Sequence, residues 1–258
     1  MASHFAGIDV GASATKVAVV DEQGDLQGHA VRRSGVDFAA SAQEGFQRAL
    51  AMAGLQAQDI AGVISTGYGR KNVPFAGASR TEIACHGAGA YFHYPQAITV
   101  VDIGGQDNKI IKLDAQGRRK SFKMNRKCAA GTGAFLEEMA LRLDLELGAM
   151  NQLAAAAREE VTLGAFCTVF TGTELLSKIR EGVRVEPLVK GLFRSVVKRV
   201  REMDTLTNLV VMTGGVVAHN PFLMEMMAQE VGREVVTTPR PQLNGAWGAA
   251  LLARDQLT

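Results

Sequence analysis

One stretch of this sequence occurs twice, and the repeat constrains the fold more than any other feature. The residues GIDVGASATKVAVVDEQGD, from Gly7, are matched by VVDIGGQDNKIIKLDAQGR, from Val100. Six identities share one offset of 93 residues, the separation of Asp9 from Asp102, without a gap. They are Asp9 and Asp102, Gly11 and Gly104, Lys16 and Lys109, Asp21 and Asp114, Gln23 and Gln116, and Gly24 and Gly117. A duplicated unit of this size predicts two related lobes.

Each copy has the pattern of a β-hairpin. An apolar strand ends in Asp, a glycine-containing turn follows, and a second apolar strand leads to another polar glycine turn. The length of 258 residues suits two small lobes better than one core. We therefore expect a first lobe over residues 1–97, completed by a C-terminal helix over 240–258, and a second lobe over 98–239 that carries two cysteines.

Composition and charge exclude several classes of protein. The chain is 47% hydrophobic and 21% charged, with no apolar stretch near the roughly 18 residues that a membrane span needs. The net charge of +2 gives no support for nucleic-acid binding through bulk electrostatics. The start of the chain lacks the features of a signal peptide, so a cytoplasmic protein is expected.

The hairpin tips have the composition of phosphate-binding turns. Small residues allow backbone N–H groups to approach an anion, while hydroxyl groups and a lysine add donors and charge. The carboxylates that end the two first strands, Asp9 and Asp102, are candidates to hold Mg²⁺ through water. The predicted phosphate-binding residues are Gly11, Ala12, Ser13, Ala14, Thr15 and Lys16 in the first copy, and Gly104, Gly105 and Gln106 in the second.

Two further glycine-rich elements follow. LVVMTGGVVAHNPF, Leu209 to Phe222, predicts a strand, a turn at Gly214 and Gly215, and a helix that enters at Pro221. TTPRPQLNGAWGAALLA, from Thr237, contains Asn244 and predicts a small-residue helix that packs closely on a sheet. Taken singly, each is equally well explained as an ordinary strand-to-helix turn.

The three cysteines, Cys85, Cys128 and Cys167, argue against a disulfide framework. Buried thiols, reactive thiols and metal ligands all remain open for them. Apolar residues at helical spacing follow Cys128 and predict that this thiol lies at a helix start, where the dipole favours a thiolate. These residues are Phe135, Leu136, Met139 and Leu143.

Six cations lie in the ten residues 118–127, immediately before Cys128. They suit an anionic cluster or an acidic partner, but a solvated basic loop is the more usual meaning of such a run.

In order, the four glycine-rich elements resemble the phosphate, connecting and adenosine motifs of the actin, sugar kinase and Hsp70 superfamily. Five segments are further similar to the BadF/BadG/BcrA/BcrD-type ATPases, the family of 2-hydroxyacyl-CoA dehydratase activators and benzoyl-CoA reductase ATP-binding subunits. They are STGYGR (65–70), TEIACHGAGA (81–90), VDIGGQDNKII (101–111), MNRKCAAGTGAFLEEMA (124–140) and FCTVF (166–170). The resemblance implies an α/β fold of two ribonuclease-H-like lobes with a nucleotide in the cleft between them.

The same resemblance implies an ATPase that drives low-potential, single-electron transfer to a 2-hydroxyacyl-CoA dehydratase or a benzoyl-CoA reductase type enzyme. ATP or ADP, Mg²⁺ and one [4Fe–4S] cluster per dimer are the implied cofactors. A cluster normally takes four cysteines, so Cys128 and Cys167 of one chain suffice only when a second chain adds its own pair. The implied partners are a second copy or a pseudo-symmetric second subunit, the acceptor enzyme, and a ferredoxin- or flavodoxin-like electron donor.

Individual roles follow from the resemblance as expectations. Gln106 or Asp107 orients the attacking water, and Gly214, Gly215 and Asn244 contact the nucleotide. Cys85 also lies in a family motif but is not carried over as a ligand, and we expect it to be a buried structural thiol. The chain departs from the usual family pattern in reading NRKC at 125–128 and TGTE at 171–174, which leaves the identity of the acceptor open.

Two other functions remain as alternatives. One is a small-molecule kinase for a sugar or carboxylate, which needs a carboxylate base such as Glu82 or Glu137. The other is a non-catalytic binding module gated by nucleotide.

Overall fold

Two five-stranded sheets and the helices packed on them form the framework of this computed structural model, which describes residues 3–125, 127–164 and 167–257. The strands are β1 His4–Val10, β2 Ala14–Val20, β3 Leu26–Arg33, β4 Ile60–Thr66, β5 Ala78–Ser79, β6 Ile98–Ile103, β7 Asn108–Leu113, β8 Arg119–Asn125, β9 Leu209–Thr213 and β10 Val235–Thr237. The helices are α1 Phe38–Ala53, α2 Glu82–His93, α3 Gly133–Arg142, α4 Met150–Ala156, α5 Thr168–Arg180, α6 Val185–Met203, α7 Gly215–His219, α8 Phe222–Val231 and α9 Asn244–Arg254.

The two sheets repeat one strand order. The first runs β3-β2-β1-β4-β5, and the second, read from its β8 edge, runs β8-β7-β6-β9-β10. In the first sheet β2 lies antiparallel to both β1 and β3, whereas β4 lies parallel to β1 and to β5. The duplicated hairpins therefore occupy equivalent places, and the predicted mixed α/β fold class is confirmed.

The chain divides into two compact units. The first takes described residues within 1–100, 111–121 and 238–258, and the second takes those within 101–110 and 122–237. The division at residues 97 and 98 that the sequence analysis proposed stays a prediction.

In the first unit, β1 is buried along six of its seven residues because helices cover both faces of its sheet. Ile8 and Val10 belong to a cluster with Phe46 of α1, whereas Phe5 belongs to a second cluster with Ala250 of α9. This alternation follows from the two-residue period of a strand.

The small-residue helix α9 packs as predicted. A Cβ atom at Gly7 of β1 would overlap the carbonyl oxygen of Ala246, so only glycine permits this approach of helix to strand.

The core of the second unit forms around the amphipathic helix α6, whose buried side chains are Leu188, Val189, Leu192, Phe193, Val196, Val197 and Val200. They pack with Val101 and Ile103 of β6, Phe135 of α3 and Met226 of α8 in one apolar cluster. This core anchors the end of β6 and the start of α3, which are two elements of the candidate site.

Among the described residues, no helix combines the length and the apolar character that crossing a bilayer requires.

Candidate functional site

The end of β1 places Asp9 beside the second strand of its hairpin. Asp9 lies opposite Lys16 in β2 and opposite Thr66 in the parallel strand β4. Its side chain is buried, and Lys16 Nζ lies 3.1 Å from Asp9 Oδ2. The first predicted Mg²⁺ carboxylate and the first predicted phosphate lysine are therefore neighbours.

The second copy repeats this pair. Lys109 Nζ lies 3.0 Å from Asp102 Oδ2 and 2.6 Å from Asp107 Oδ1. Asp102 Oδ1 also accepts a hydrogen bond from Thr213 Oγ1 at 3.3 Å. The same Asp–Lys ion pair therefore forms in both units, and the pair in the second unit is more deeply buried.

The hairpin tips share one backbone turn. Gly11 N donates to Ala14 O at 3.1 Å, and Gly104 N donates to Asp107 O at 2.9 Å. A Cβ atom would lie 2.8 Å from Ala14 O at Gly11 and 2.9 Å from Asp107 O at Gly104, closer than real side chains come. Both tips therefore need glycine, which keeps the backbone accessible, as a phosphate cradle requires.

The other tip residues differ in accessibility. Ala12, Ser13 and Gln106 are exposed, whereas Gly105 is half-buried. Thr15 is 1% exposed, and its hydroxyl shares a hydrogen bond of 2.9 Å with Ser34 Oγ. The hydroxyl of Thr15 is therefore paired beneath the tip, and its predicted contact with phosphate stays a prediction.

Residues that the sequence analysis did not assign also surround Asp9. A Cβ atom at Gly67, where φ is +92°, would lie 2.5 Å from Asp9 Oδ1. One at Gly245 would lie 3.3 Å from Asp9 Oδ2 and 2.7 Å from Nε2 of the buried His86. Gly67 lies in the segment STGYGR, and His86 lies in the segment TEIACHGAGA. Both segments contributed to the family resemblance, but no role was predicted for either residue.

Gly214 brings a third element to Asp102. Its φ is +100°, and a Cβ atom there would overlap the carbonyl oxygen of Ile103 and lie 2.7 Å from Asp102 Oδ1. Gly215 begins the short helix α7 immediately afterwards. The end of β9 and the end of β6 therefore meet at the carboxylate.

Asn244 lies in the first unit, where it begins α9. It is 1% exposed, and its Nδ2 donates to His86 O at 3.0 Å. Its predicted part in nucleotide binding stays a prediction. The two candidate kinase bases differ in setting, since Glu82 lies in the first turn of α2 and Glu137 is exposed on α3.

The prediction that Cys128 lies at a helix start is wrong. The helix α3 begins at Gly133, because residues 128–132 form a turn in which Thr132 N and Oγ1 both donate to Ala129 O. Gly131, with φ of +79°, completes this turn. The apolar spacing correctly placed Phe135 in the core, but it did not reveal the turn that precedes the helix.

Cys167, and not Cys128, lies at the start of a helix. It is the N-cap residue of α5, it is exposed, and its carbonyl accepts a hydrogen bond from Thr171 N at 2.8 Å. Phe166 of the FCTVF segment and Arg126 of the basic run lie outside the described residues.

Cys85 has a different environment. It is fully buried on α2, and burial raises the pKa of its thiol to about 12. The predicted burial of Cys85 is therefore confirmed, and a buried neutral thiol of this kind is unreactive.

The donor set of one chain fits half of an iron–sulfur site. Cys128 is half-buried and Cys167 exposed, both are free thiols, and the helices α3 and α5 that follow them contact each other. Within the described ranges, no group of three or more potential metal-binding side chains occurs. Thiolates are the ligands that such clusters take, so two chains would have to combine to provide four.

The model of the BadF/BadG/BcrA/BcrD ATPase family matches residues 6–253 of this chain. An activator of lactoyl-CoA dehydratase from Anaerotignum propionicum is 40% identical over 252 residues, covering 96% of this chain and 96% of the relative. The family that the residues predicted is therefore confirmed by sequence.

Two solved structures share the fold. Component A of the (R)-2-hydroxyglutaryl-CoA dehydratase of Acidaminococcus fermentans matches with a TM-score of 0.94 and 34% identity, covering 98% of both chains. The activator of the 2-hydroxyisocaproyl-CoA dehydratase of Clostridium difficile, solved with bound ADPNP, matches with a TM-score of 0.91 and 36% identity, covering 99% of this chain and 95% of the other. Sequence and fold agree that this chain belongs to the BadF/BadG/BcrA/BcrD ATPase family.

Proposed function

We propose that this protein is an ATPase that activates a 2-hydroxyacyl-CoA dehydratase by passing it single electrons from a [4Fe–4S] cluster shared between two copies of the chain. The observation that carries the proposal is the continuous set of contacts from the second hairpin tip to the helices that follow Cys128 and Cys167. The named activators that this chain resembles support the ATPase class and the choice of a dehydratase as acceptor.

Each hairpin tip supplies groups that suit the nucleotide of the proposal. Backbone N–H groups at Gly11 and Gly104, with Ser13 and Lys16 in the first tip, are suited to phosphate oxygens. The carboxylates of Asp9 and Asp102 are hard oxygen ligands that suit Mg²⁺. Gln106 is exposed at the second tip, where it is available to orient a water molecule.

Movement of the second tip has a direct route to α3. Gly133 N donates to Gly104 O at 2.9 Å, and Ala134 N donates to Gly105 O at 2.8 Å. Asn108, the first residue of β7, donates through its side chain to Gly131 O at 2.8 Å. We propose that these hydrogen bonds make the tip and the start of α3 move as one body when a phosphate binds to the tip.

The same body carries the proposed cluster ligands. The turn at residues 128–132 leads straight into α3, and α3 contacts α5, which begins directly after Cys167. Nucleotide binding changes the cluster only if it favours one arrangement of these helices over another. The bound cluster supplies one-electron redox chemistry, while the chain itself supplies the thiolates and the coupling to ATP.

Two copies of the chain complete the proposed site. Each provides two thiols, and a twofold axis brings identical patches together. Val169 and Phe170, which follow Cys167 on α5, are 65% and 68% exposed, as expected of side chains that a second copy would cover. Three free thiols agree with a reducing compartment, so the cytoplasm is the proposed location.

Anaerobic purification with iron and sulfide analysis tests the cluster. We expect about four iron atoms per two chains and a dimer on a sizing column. Cys128→Ser and Cys167→Ser should each lose iron and still bind ATP. Cys85→Ala is the matched control and should retain iron. Full iron content in both of the first two variants would overturn the ligand assignment.

The nucleotide site has its own test. Asp102→Asn should lower ATP hydrolysis by about tenfold or more, because the variant lacks the proposed Mg²⁺ carboxylate. Asp114→Asn is the matched control, since this residue lies in the far turn of the same hairpin and pairs with Arg118. Equal activity of the two variants would place the metal elsewhere.

A further inference from the structure

The strand β8 presents an unusual surface. It lies at the edge of the second sheet, and its first five residues are exposed. Three of them, Arg119, Lys120 and Lys123, are cations, and Lys127 follows beyond the strand. The sequence has no acidic residue from 118 to 128. We call this basic surface, made of β8 and Lys127, the β8 face.

The first copy of the repeat forms the same strand order without a basic surface of this kind, so the fold does not require one. Its equivalent strand, β3, has Gly28 and Ala30 buried, and α1 packs on it so closely that a Cβ atom at Gly28 would overlap Ala49 O. At the offset of 93 residues, the buried Ala30 corresponds to the exposed Lys123. The second copy thus has cations on a strand whose counterpart is covered by a helix.

The β8 face also carries an aromatic side chain and ends at a proposed cluster ligand. Phe122 is 47% exposed and, by the alternation of a strand, lies on the same side as Lys120, while Arg119 and Lys123 lie on the other side, so the β8 face covers both exposed sides of this edge strand. At the end of the strand, Asn125 Nδ2 donates to Cys128 O at 3.0 Å. The Cα atoms of Lys123 and Cys128 are five residues apart, at most about 18 Å.

We propose that the β8 face is the docking surface for an acidic electron-carrier protein that reduces the cluster, a small iron–sulfur or flavin protein. This inference rests on the proposed function. One electron leaves the reduced carrier and enters the oxidised cluster, with no bond made or broken. Complementary charge raises the rate of encounter, which matters for a carrier that must bind and leave in each cycle.

The size of the face favours a carrier over the acceptor enzyme. A strand of seven residues is about 23 Å long, which suits the small, charged interfaces of transient redox encounters.

The test compares two triple variants with the same loss of charge. Lys120→Gln, Lys123→Gln and Lys127→Gln together neutralise the β8 face. Arg48→Gln, Lys71→Gln and Arg233→Gln together neutralise three exposed cations elsewhere on the chain. Circular dichroism should show that both proteins are folded, and ATP hydrolysis should be unchanged in both.

Binding of an oxidised acidic ferredoxin is measured by calorimetry at low and physiological salt. We expect the β8 variant to bind at least about tenfold more weakly than wild type at low salt, with a flatter salt dependence, and the control variant to bind within about twofold. The measurement is repeated on the cluster-free Cys128→Ser protein. Ferredoxin binding can then be compared even if the wild-type protein proves to lack a cluster, an outcome that would count against the proposed function alone.

Rates of cluster reduction provide the second measurement. Reduction by the reduced ferredoxin should slow by about tenfold in the β8 variant, whereas reduction by dithionite should not change. Equal binding and equal rates in the two triple variants would overturn the inference. So would normal ferredoxin binding by a β8 variant that fails to activate the dehydratase, because the face would then serve the acceptor.

Discussion

The two ion pairs of the repeat allow a matched test of how burial changes the contribution of an ion pair to the stability of the protein. Lys109 and Asp102 have side chains 4% and 3% exposed, whereas Lys16 and Asp9 are 17% and 7% exposed. Replacing the lysine by methionine keeps most of its volume and removes the partner of the carboxylate. Breaking a buried pair costs about 3–5 kcal/mol of unfolding free energy, whereas exposed pairs contribute about 0–1 kcal/mol.

We therefore expect Lys109→Met to cost about 3–5 kcal/mol, and Lys16→Met about 1–3 kcal/mol because water screens its more accessible pair. Urea unfolding of the metal-free protein, followed by circular dichroism, measures the difference. With a slope near 2.5 kcal/mol per molar urea, the midpoint for Lys109→Met should fall by about 1–2 M.

A second variant separates the stranded charge from lost packing. Adding Asp102→Asn to Lys109→Met neutralises the more deeply buried of the two carboxylates that Lys109 contacts, Asp102 and Asp107, and keeps an acceptor for Thr213 Oγ1, so part of the stability should return. The reasoning is refuted if Lys109→Met costs no more than Lys16→Met, or if the double variant is as unstable as the sum of the single changes.

Three further outcomes follow from individual residues. Gly67→Ala should cost at least about 2 kcal/mol and weaken ATP binding, because φ is +92° and the new Cβ would lie 2.5 Å from Asp9 Oδ1; thermal unfolding and nucleotide titration measure both effects. In the native apoprotein at pH 8, a thiol reagent should modify two cysteines quickly and Cys85 only after denaturation, since burial raises the pKa of that thiol to about 12. Burial lowers the pKa of His93 below its usual 6.5, so the unfolded chain binds the proton more readily and the folded protein should lose stability as the pH drops from 7 to 5. His93→Gln should weaken this dependence of the unfolding free energy on pH, and an unchanged dependence would contradict the assignment.

The local pattern of this sequence was sufficient for much of the fold. The repeat predicted two equivalent hairpins, and the structure has them with the same turn hydrogen bonds and the same Asp–Lys pairing. It was sufficient because strand alternation and glycine turns act over a few residues, and a duplicated pattern doubles the signal.

Local pattern failed where several elements meet. Nothing in the sequence near Thr15 shows that its hydroxyl pairs with Ser34, and apolar spacing alone placed Cys128 at a helix start that belongs to Gly133. The place of Gly67 and His86 beside Asp9 likewise depends on strands and helices distant in sequence.

The sequence by itself therefore determined which residues are duplicated, where the glycine tips lie and how many thiols each chain offers, because identity and spacing are properties of the chain. The tertiary structure alone decided which cysteine lies at the start of a helix, how deeply each ion pair is buried, and that the second tip is hydrogen-bonded to the start of α3. These depend on contacts between segments far apart in the chain, which form only when the apolar faces of helices and sheets pack together.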